Sequence, residues 1–477
     1  MRRSSWLAAV AVAALVLVVA AGCAKVRGVL APNRPPETTI WVTGNVDTVS
    51  HTVRVFWDGE DPDGSVSYFQ FRWVYALGAA PAGYDSSLWN STTFRDSLFT
   101  VYSPTGVDFP TFVVRAVDDQ GMPDPTPARQ TFQFSNAAPT VRFSATPPDT
   151  TLPAVTFAWS GSDPDGDIGK ASYRLWLDGA ENRAVTLTST SLTLTPTDFQ
   201  NALGTVEERV RKAFVAVIDD GGRMSLPDSF AWFVRLPVGN TLLVDDMPSF
   251  VAGASTADGF YRTELNSRLG TGNYTIVDLQ ARNPLRSPGD IRETFRLFPN
   301  VFWYSEQNPS LSAILTMADQ PIRDYLGGGG HLFLTSSRLV GTGGALNDLF
   351  AHDVLGVSEF RINQLTQTTN FTLTSGQFVV GGNPAFAFDS LLATGIYAGM
   401  ESFVLANTGD AAYVAPPGTL DTLHTEDWPL AINRSYGSGP GRIVYLPFPL
   451  RGMNNPFSGH PGRSAIELRK VFDLFGM

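Results

Sequence analysis

The sequence predicts a multidomain chain: two all-β sandwiches followed by an α/β domain built on a doubly wound sheet. Three observations predict it. WDGEDPDG (Trp57 to Gly64) returns a domain-length later as WSGSDPDG (Trp159 to Gly166). FVVRAVDDQG (Phe112 to Gly121) returns in the same order as FVAVIDDGG (Phe214 to Gly222), so a whole module is duplicated. After Pro237 the texture changes to nearly continuous apolar runs separated by helical patterns, as expected of strands buried on both faces.

The totals agree with this division. A chain of 477 residues exceeds one compact core and fits about three domains. Hydrophobic content of 43% against 17% charged residues supports folded packing throughout. The 34 Lys+Arg and 45 Asp+Glu leave a net charge of -11, with no basic run beyond Arg2 and Arg3. That balance excludes a nucleic-acid partner.

Residues 1–22 read as an export leader. Met1, Arg2 and Arg3 precede the uncharged stretch WLAAVAVAALVLVVAA (Trp6 to Ala21), followed by Gly22 and Cys23, the sole cysteine. The stretch is short for a spanning helix, which needs about 20 apolar residues. AAGC resembles the lipobox of bacterial lipoproteins, departing from it in having Ala20 where leucine is favoured. The resemblance implies that Cys23 is acylated, becomes the mature N-terminus and holds the chain to a membrane by its lipid. It also implies, through Ala24, the outer membrane or cell surface if the source is Gram-negative. An uncleaved N-terminal anchor is the alternative. With Cys23 acylated, the exported body has neither thiol nor disulfide, so packing alone stabilises it. Residues 23–36, containing KVRGVLAPNRPP, form a proline-stiffened tether.

Residues 37–137 and 138–237 form the two sandwiches. TVRVFW, SYFQFRWVY, TFVVRAV and RQTFQF read as strands in the first; AVTFAW, ASYRLWL, AFVAVI and SFAWFV follow in the same order in the second. Short strands separated by Gly, Pro, Asp and Ser clusters imply a sandwich. The pattern resembles immunoglobulin-like and fibronectin type III domains of bacterial surface proteins over residues 36–237, without the cysteine pair of the disulfide-bonded variant. Trp57 and Trp159 end the second strand of each copy, where a large ring can plug the space between sheets.

In that arrangement DPDG and DDQG occupy loops at one pole, bringing together Asp61, Asp63, Asp118 and Asp119, and likewise Asp163, Asp165, Asp219 and Asp220. Two readings are open. Clustered carboxylates on flexible loops suit calcium. Asp-Pro-Asp-Gly is equally good turn chemistry, needing no metal, and the chain has no twelve-residue EF-hand loop.

Residues 238–477 form the α/β domain. TLLVDDM, NYTIVDL, NVFWYSE and HLFLTSS read as buried strands, and DGFYRTELNSRLG and IRETFRLF as helices between them. Asp319 reads as a cap for a helix that has Pro321 in its first turn and stops at Gly327 to Gly330. From Phe360 to Asn433 the pattern turns strand-rich. RIVYLPFPL then restores a buried strand, and a final helix carries Ala465, Leu468, Phe472 and Phe475 on one face. LLVDD, DYLGGGGHLFLTSS and GPGRIVYLPFPL resemble the class I glutamine amidotransferase-like superfamily in its non-amidotransferase branches. The resemblance implies a flavodoxin-like open sheet.

Enzymes of that superfamily need a cysteine nucleophile paired with histidine, and the only cysteine here is Cys23. Ser336 and Ser337 lack the glycines of G-x-S-x-G and read as a polar strand end. His331, His352, His424 and His460 show no ligand spacing for zinc. Trp303 and Tyr304 read as core. Asp245, Asp246 and Glu306 end their strands at the carboxyl edge, where open α/β folds bind ligands. A receiver-like reading of the paired acids fails because VFWYSE has no phosphoacceptor aspartate. Asp246 as a cap for the following loop is the alternative.

Two functions of different class follow. The first is a non-catalytic cell-envelope lipoprotein, its sandwiches a stalk and its α/β domain a binder of a protein or glycan partner. The second is a surface hydrolase using Asp245, Asp246 and Glu306. Both require export, which gives the first prediction. Mature chain from a membrane fraction is expected to begin at an acylated Cys23 by mass spectrometry, and Cys23→Ser to abolish the acyl mass; unmodified Cys23 on exported protein would refute it.

Overall fold

The structure, a computed structural model, describes residues 32–43, 49–50, 52–75, 88–251, 253–280, 283–306, 313–454 and 463–477. The leader, Cys23, most of the tether and His460 lie outside the described residues. Among the described residues no helix is long and apolar enough to cross a membrane. The chain divides into two compact units: residues 1–138 with 164–166 and 220–223, and residues 139–163 with 167–219 and 224–477.

In the first unit the predicted strands form where expected: β1 (Glu37–Val42), β2 (Thr52–Glu60), β3 (Val66–Val74), β4 (Asn90–Thr92), β5 (Asp96–Thr100), β6 (Thr111–Asp118) and β7 (Ala128–Thr131). They pair antiparallel as a three-stranded sheet β1-β2-β5 and a four-stranded sheet β4-β3-β6-β7. The two-residue period of TVRVFW sends Val53, Val55 and Trp57 inward, all buried. Trp57 is 0% exposed and meets the rings of Phe69, Phe71, Phe99 and Phe112. Its indole N–H donates to the Phe94 carbonyl at 2.9 Å, so the buried polar atom is satisfied.

The second copy repeats the plan with β8 (Thr140–Ala145), β9 (Val155–Ser162), β10 (Ser172–Leu177), β11 (Val185–Leu187), β12 (Ser191–Leu194), β13 (Arg209–Ile218) and β14 (Asp228–Val234). The sheets are β8-β9-β12 and β14-β13-β10-β11, with the short strand Thr150–Thr151 added beside β14. Trp159 is buried against Tyr173, ring centroids 5.9 Å apart. The glycine two residues beyond each tryptophan has a packing reason. A Cβ on Gly59 would sit 2.8 Å from the Ala116 side chain, and one on Gly161 would sit 2.9 Å from the Tyr173 hydroxyl. Both copies are β-sandwiches of the fibronectin type III and immunoglobulin-like kind.

The C-terminal part is organised by one ten-stranded sheet. Its elements are β15 (Thr241–Asp245), α1 (Ala254–Leu269), β16 (Thr275–Asp278), α2 (Pro288–Phe295), β17 (Asn300–Glu306), α3 (Asp319–Gly327), β18 (His331–Ser336), β19 (Phe378–Gly381), β20 (Leu391–Ala393), β21 (Ala411–Ala415), β22 (Trp428–Ser435), β23 (Arg442–Leu446) and α4 (Arg463–Leu474). Five strands run parallel in the order β16-β15-β17-β18-β23. The sheet continues antiparallel through β22, β21, β19 and β20 to the short strand Met453–Asn454. Strand residues alternate between two cores. Leu242, Val301, Trp303 and Leu332 pack with α2 and α3, whereas Leu243, Phe302, Phe333 and Val444 pack with α1 and α4.

One sequence expectation needs correcting here. Asp319 is the first residue of α3 rather than its cap; Ala318 precedes it, and the Asp319 carboxylate instead pairs with Arg323 at 2.5 Å and accepts from Asn347 at 3.0 Å.

The second sandwich and the mixed sheet belong to one unit because α2 docks on β9. Asp290, nearly fully buried, accepts from the Thr156 amide at 2.6 Å, and the Thr156 and Ser287 hydroxyls meet at 2.7 Å. Gly289 lets the surfaces approach: a Cβ there would lie 2.2 Å from the Thr193 hydroxyl.

Each tryptophan plug is predicted to be a keystone of its core. Trp159→Ala should lower the unfolding free energy by about 3–5 kcal/mol, read from urea denaturation. A loss below about 1 kcal/mol would show that the ring is dispensable.

Candidate functional site

The acidic turns come first, because they carry the calcium expectation. Asp118, buried at the end of β6, accepts from the Gln120 amide at 2.9 Å, the Met122 amide at 2.7 Å and the Asn33 side chain. Burial raises its pKa, but the bonds from Asn33, Met122, Gln120 and Gly121 together outweigh that and hold it below the ordinary carboxylate value. Asp63 accepts from the Arg34 amide at 3.1 Å, and Asp119 from the Ser65 hydroxyl at 3.3 Å. Asp61 and Asp119 do converge, since a Cβ on Gly64 would touch Asp61 Oδ2 at 2.6 Å and Asp119 Oδ1 at 3.0 Å.

In the second copy Asp165 accepts from the Ala137 amide at 3.0 Å, repeating the Asp63 contact to Arg34. Asp163, Asp219 and Asp220 also have partners. Among the described residues no three His, Cys, Asp or Glu side chains are grouped to hold a metal ion. Asp63 and Asp165 accept from backbone amides of the segment that enters each sandwich, and Asp118 accepts from two amides of its own turn and from the Asn33 side chain of that segment. That segment is itself duplicated, as NRPP from Asn33 and NAAP from Asn136, a signal the sequence reading missed.

At the carboxyl edge of the mixed sheet, the three acids singled out from sequence part company. Glu306 is 0% exposed and sits at φ 47°, a left-handed geometry at the end of β17. Arg451 clasps it, Nε at 2.9 Å and Nη2 at 2.8 Å from Oε2. Burial raises its pKa to about 7 even though Arg451 works in the opposite direction. Asp246 is also buried, and its Oδ2 accepts from the Trp303 indole at 3.0 Å. Asp245, not Asp246, caps the next turn, accepting from the Met247 amide at 3.1 Å.

Asp245 lines a cavity. A space of ≈ 280 Å³ opens at the ends of β15 and β16 beside the first turns of α1, lined by Asp245, Ser255, Asp258, Arg262, Asp278 and Gln280 among others. Desolvation raises the Asp245 pKa, the Tyr304 and Met247 bonds oppose this, and the Asp278 and Asp258 charges add to it. The Tyr304 hydroxyl reaches Asp258 at 3.4 Å while its ring stacks on Tyr261. Arg262 pairs with Asp258 one helical turn away. The sequence reading found Asp245 and missed Asp258, Asp278 and Arg262. Asp278 ends its strand as Asp245 does, so the same strand-end logic would have found it; Asp258 and Arg262 needed the helix orientation.

Beneath the edges of β18 and β23 lies a polar network. Glu401, 0% exposed, accepts from the Tyr445 hydroxyl at 2.6 Å and the Val340 amide at 2.9 Å. Burial raises its pKa to about 8 against those bonds. Ser336 bonds Ser305 at 3.1 Å and is a buried strand end, as its sequence context implied. The His331 ring stacks on Phe475. His424 is buried, its ring nitrogens against the Asp421 and Pro416 carbonyls.

Comparison with known proteins adds little beyond the fold. No protein-family model matches the chain, and no curated protein matches it. Among solved structures, the fibronectin(III)-like modules of CbhA from Clostridium thermocellum are similar at 17% identity, covering 42% of this chain and 95% of that one, with a TM-score of 0.19. The PKD1 domain of Vibrio anguillarum Epp is similar at 16% identity over 22% of this chain and 96% of that one, TM-score 0.15. The chicken CNTN1 FN1-FN3 domains are similar at 15% identity over 43% and 68%, TM-score 0.19.

The buried glutamates set a pH dependence. Glu401 and Glu306 hold protons in the folded chain at pH values where the unfolded chain, near 4.5 for glutamate, has lost them. Their contribution is therefore complete below about pH 4.5 and lost as pH rises through 7 and 8, at no more than about 1.4 kcal/mol per pH unit for each group. Urea denaturation from pH 5 to 8.5 should show stability falling on this limb, with a shallower slope in Glu401→Gln. An identical slope in the variant would exclude Glu401 as a contributor.

Proposed function

We propose that this chain is a non-catalytic cell-envelope lipoprotein. Cys23 carries the lipid, the two sandwiches space the C-terminal domain from the membrane, and that domain binds an envelope or extracellular partner. The lipobox-like AAGC and the preceding apolar stretch support export and anchoring. The parallel order β16-β15-β17-β18-β23, with helices over both faces, supports a doubly wound, flavodoxin-like reading of the domain and its likeness to the glutamine amidotransferase-like superfamily.

The observation that carries the non-catalytic half is the Glu306 ion pair. A hydrolase reading needs acids that reach a substrate, whereas Glu306 is fully buried against Arg451 and Asp246 is buried against Trp303. Asp245 alone favours the second reading, a surface hydrolase, because it is a desolvated acid lining a cavity. Turnover of an envelope polymer that disappears in Asp245→Asn would establish that reading.

The test of the binding role is capture. Immobilised mature chain should retain a defined envelope component from its native source, retention should survive Glu306→Gln paired with Arg451→Met, and a chain carrying only the sandwich mutation Trp159→Ala should lose it no faster than it unfolds. Failure to retain any component at physiological salt would overturn the proposal.

A further inference from the structure

The cavity beside α1 has a neighbour. A second space of ≈ 370 Å³ is lined by Leu152, Arg235, Ile276, Val277 and Pro284, and Asp278 lines both. Asp278, at the carboxyl end of β16, the edge strand of the ten-stranded sheet, thus borders both spaces within a single compact unit. Their linings are complementary. One half presents the carboxylates of Asp245, Asp258 and Asp278 with one cation, Arg262, and the polar Ser255 and Gln280. The other half sets the apolar Leu152, Ile276, Val277 and Pro284 beside Thr150, Thr151 and Arg235.

We propose that this groove seats an extended polypeptide segment of a partner protein in which an apolar side chain lies next to a lysine or arginine. The proposal rests on the binding role argued above and names the partner's chemistry. Carboxylates accept hydrogen bonds and donate none, so the acidic half selects a donor-rich cation. Arg262 offsets only one of the three acids, Asp258, with which it pairs. A bare metal ion does not fit, since no three acids among the described residues are grouped to hold one. A sugar ring would find no aromatic face, because Tyr304 and Tyr274 are both buried.

The apolar half accounts for the other part of the ligand. Leu152, Ile276, Val277 and Pro284 offer a surface for one aliphatic side chain, and its burial adds to the ion pair. Strand addition along β16 is not the mode of binding. Arg235 Nη2 donates to the Ile276 carbonyl at 2.6 Å and so occupies the edge that an added strand would use. Recognition is through side chains, and the net charge of -11 draws basic segments toward the chain.

The experiment screens a displayed library of random decapeptides against the full mature chain. Peptides with an apolar residue within two positions of Lys or Arg should be enriched. Their affinity should fall about tenfold in Asp278→Asn and stay unchanged in Asp96→Asn, which removes an equal charge from β5, with both variants melting as the parent does. Enrichment of peptides without basic residues, affinity indifferent to Asp278→Asn, or displacement of bound peptide by an amino-sugar oligomer would overturn the proposal. If Asp278→Asn still captures the native envelope component, the binding role stands and this groove is not its seat. If the parent chain captures no native component while the peptides bind as expected, the binding role falls and the groove's chemistry stands.

Discussion

A carboxylate removed from water must find donors, and this constraint decides what the buried acidic residues do. Its cost when unmet is several kcal/mol per ion. Glu306 meets it with Arg451, Asp246 with the Trp303 indole, Glu401 with Tyr445 and Val340, Asp290 with Thr156 and Arg286, and Asp118 with Asn33 and its own turn. Each thereby becomes a fastener between segments distant in sequence. Asp245, Asp258 and Asp278, by contrast, border the open space at the sheet edge.

The duplicated modules apply the same rule at their poles. Asp63 holds the backbone of Arg34 and Asp165 that of Ala137, so each acidic turn clasps the chain entering its own sandwich. An Asp-Pro-Asp-Gly turn thus serves two purposes, closing a loop and fixing a linker. Retention of the whole motif in both copies follows from that shared geometry, as does the glycine after each tryptophan, where the opposite sheet leaves no room for a Cβ.

Much of the fold was legible in local pattern. The two-residue alternation of TVRVFW and its repeat placed Trp57 and Trp159 inside, because one strand face must be buried and the other solvated. The unbroken apolar runs of TLLVD and NVFWYSE marked strands covered on both sides, and every residue of both is buried. Of the expected face of the last helix, Leu468 and Phe472 are buried, as is Phe475 just past its end, whereas Ala465 is half-buried; a 3.6-residue period needs no tertiary information to place the first two.

The sequence by itself determined the duplicated β modules, the change to an α/β texture after Pro237 and the single cysteine just after the uncharged stretch Trp6 to Ala21. The periods and composition that encode these act over a few residues. Only the tertiary structure decided which acids are fasteners and which face a groove. Arg451 reaches Glu306, and Trp303 reaches Asp246, from positions far along the chain. Asp258 comes to the cavity on a helix, and Asp278 on the strand beside Asp245. Side-chain partners chosen across such separations depend on how elements pack, and no local period records them.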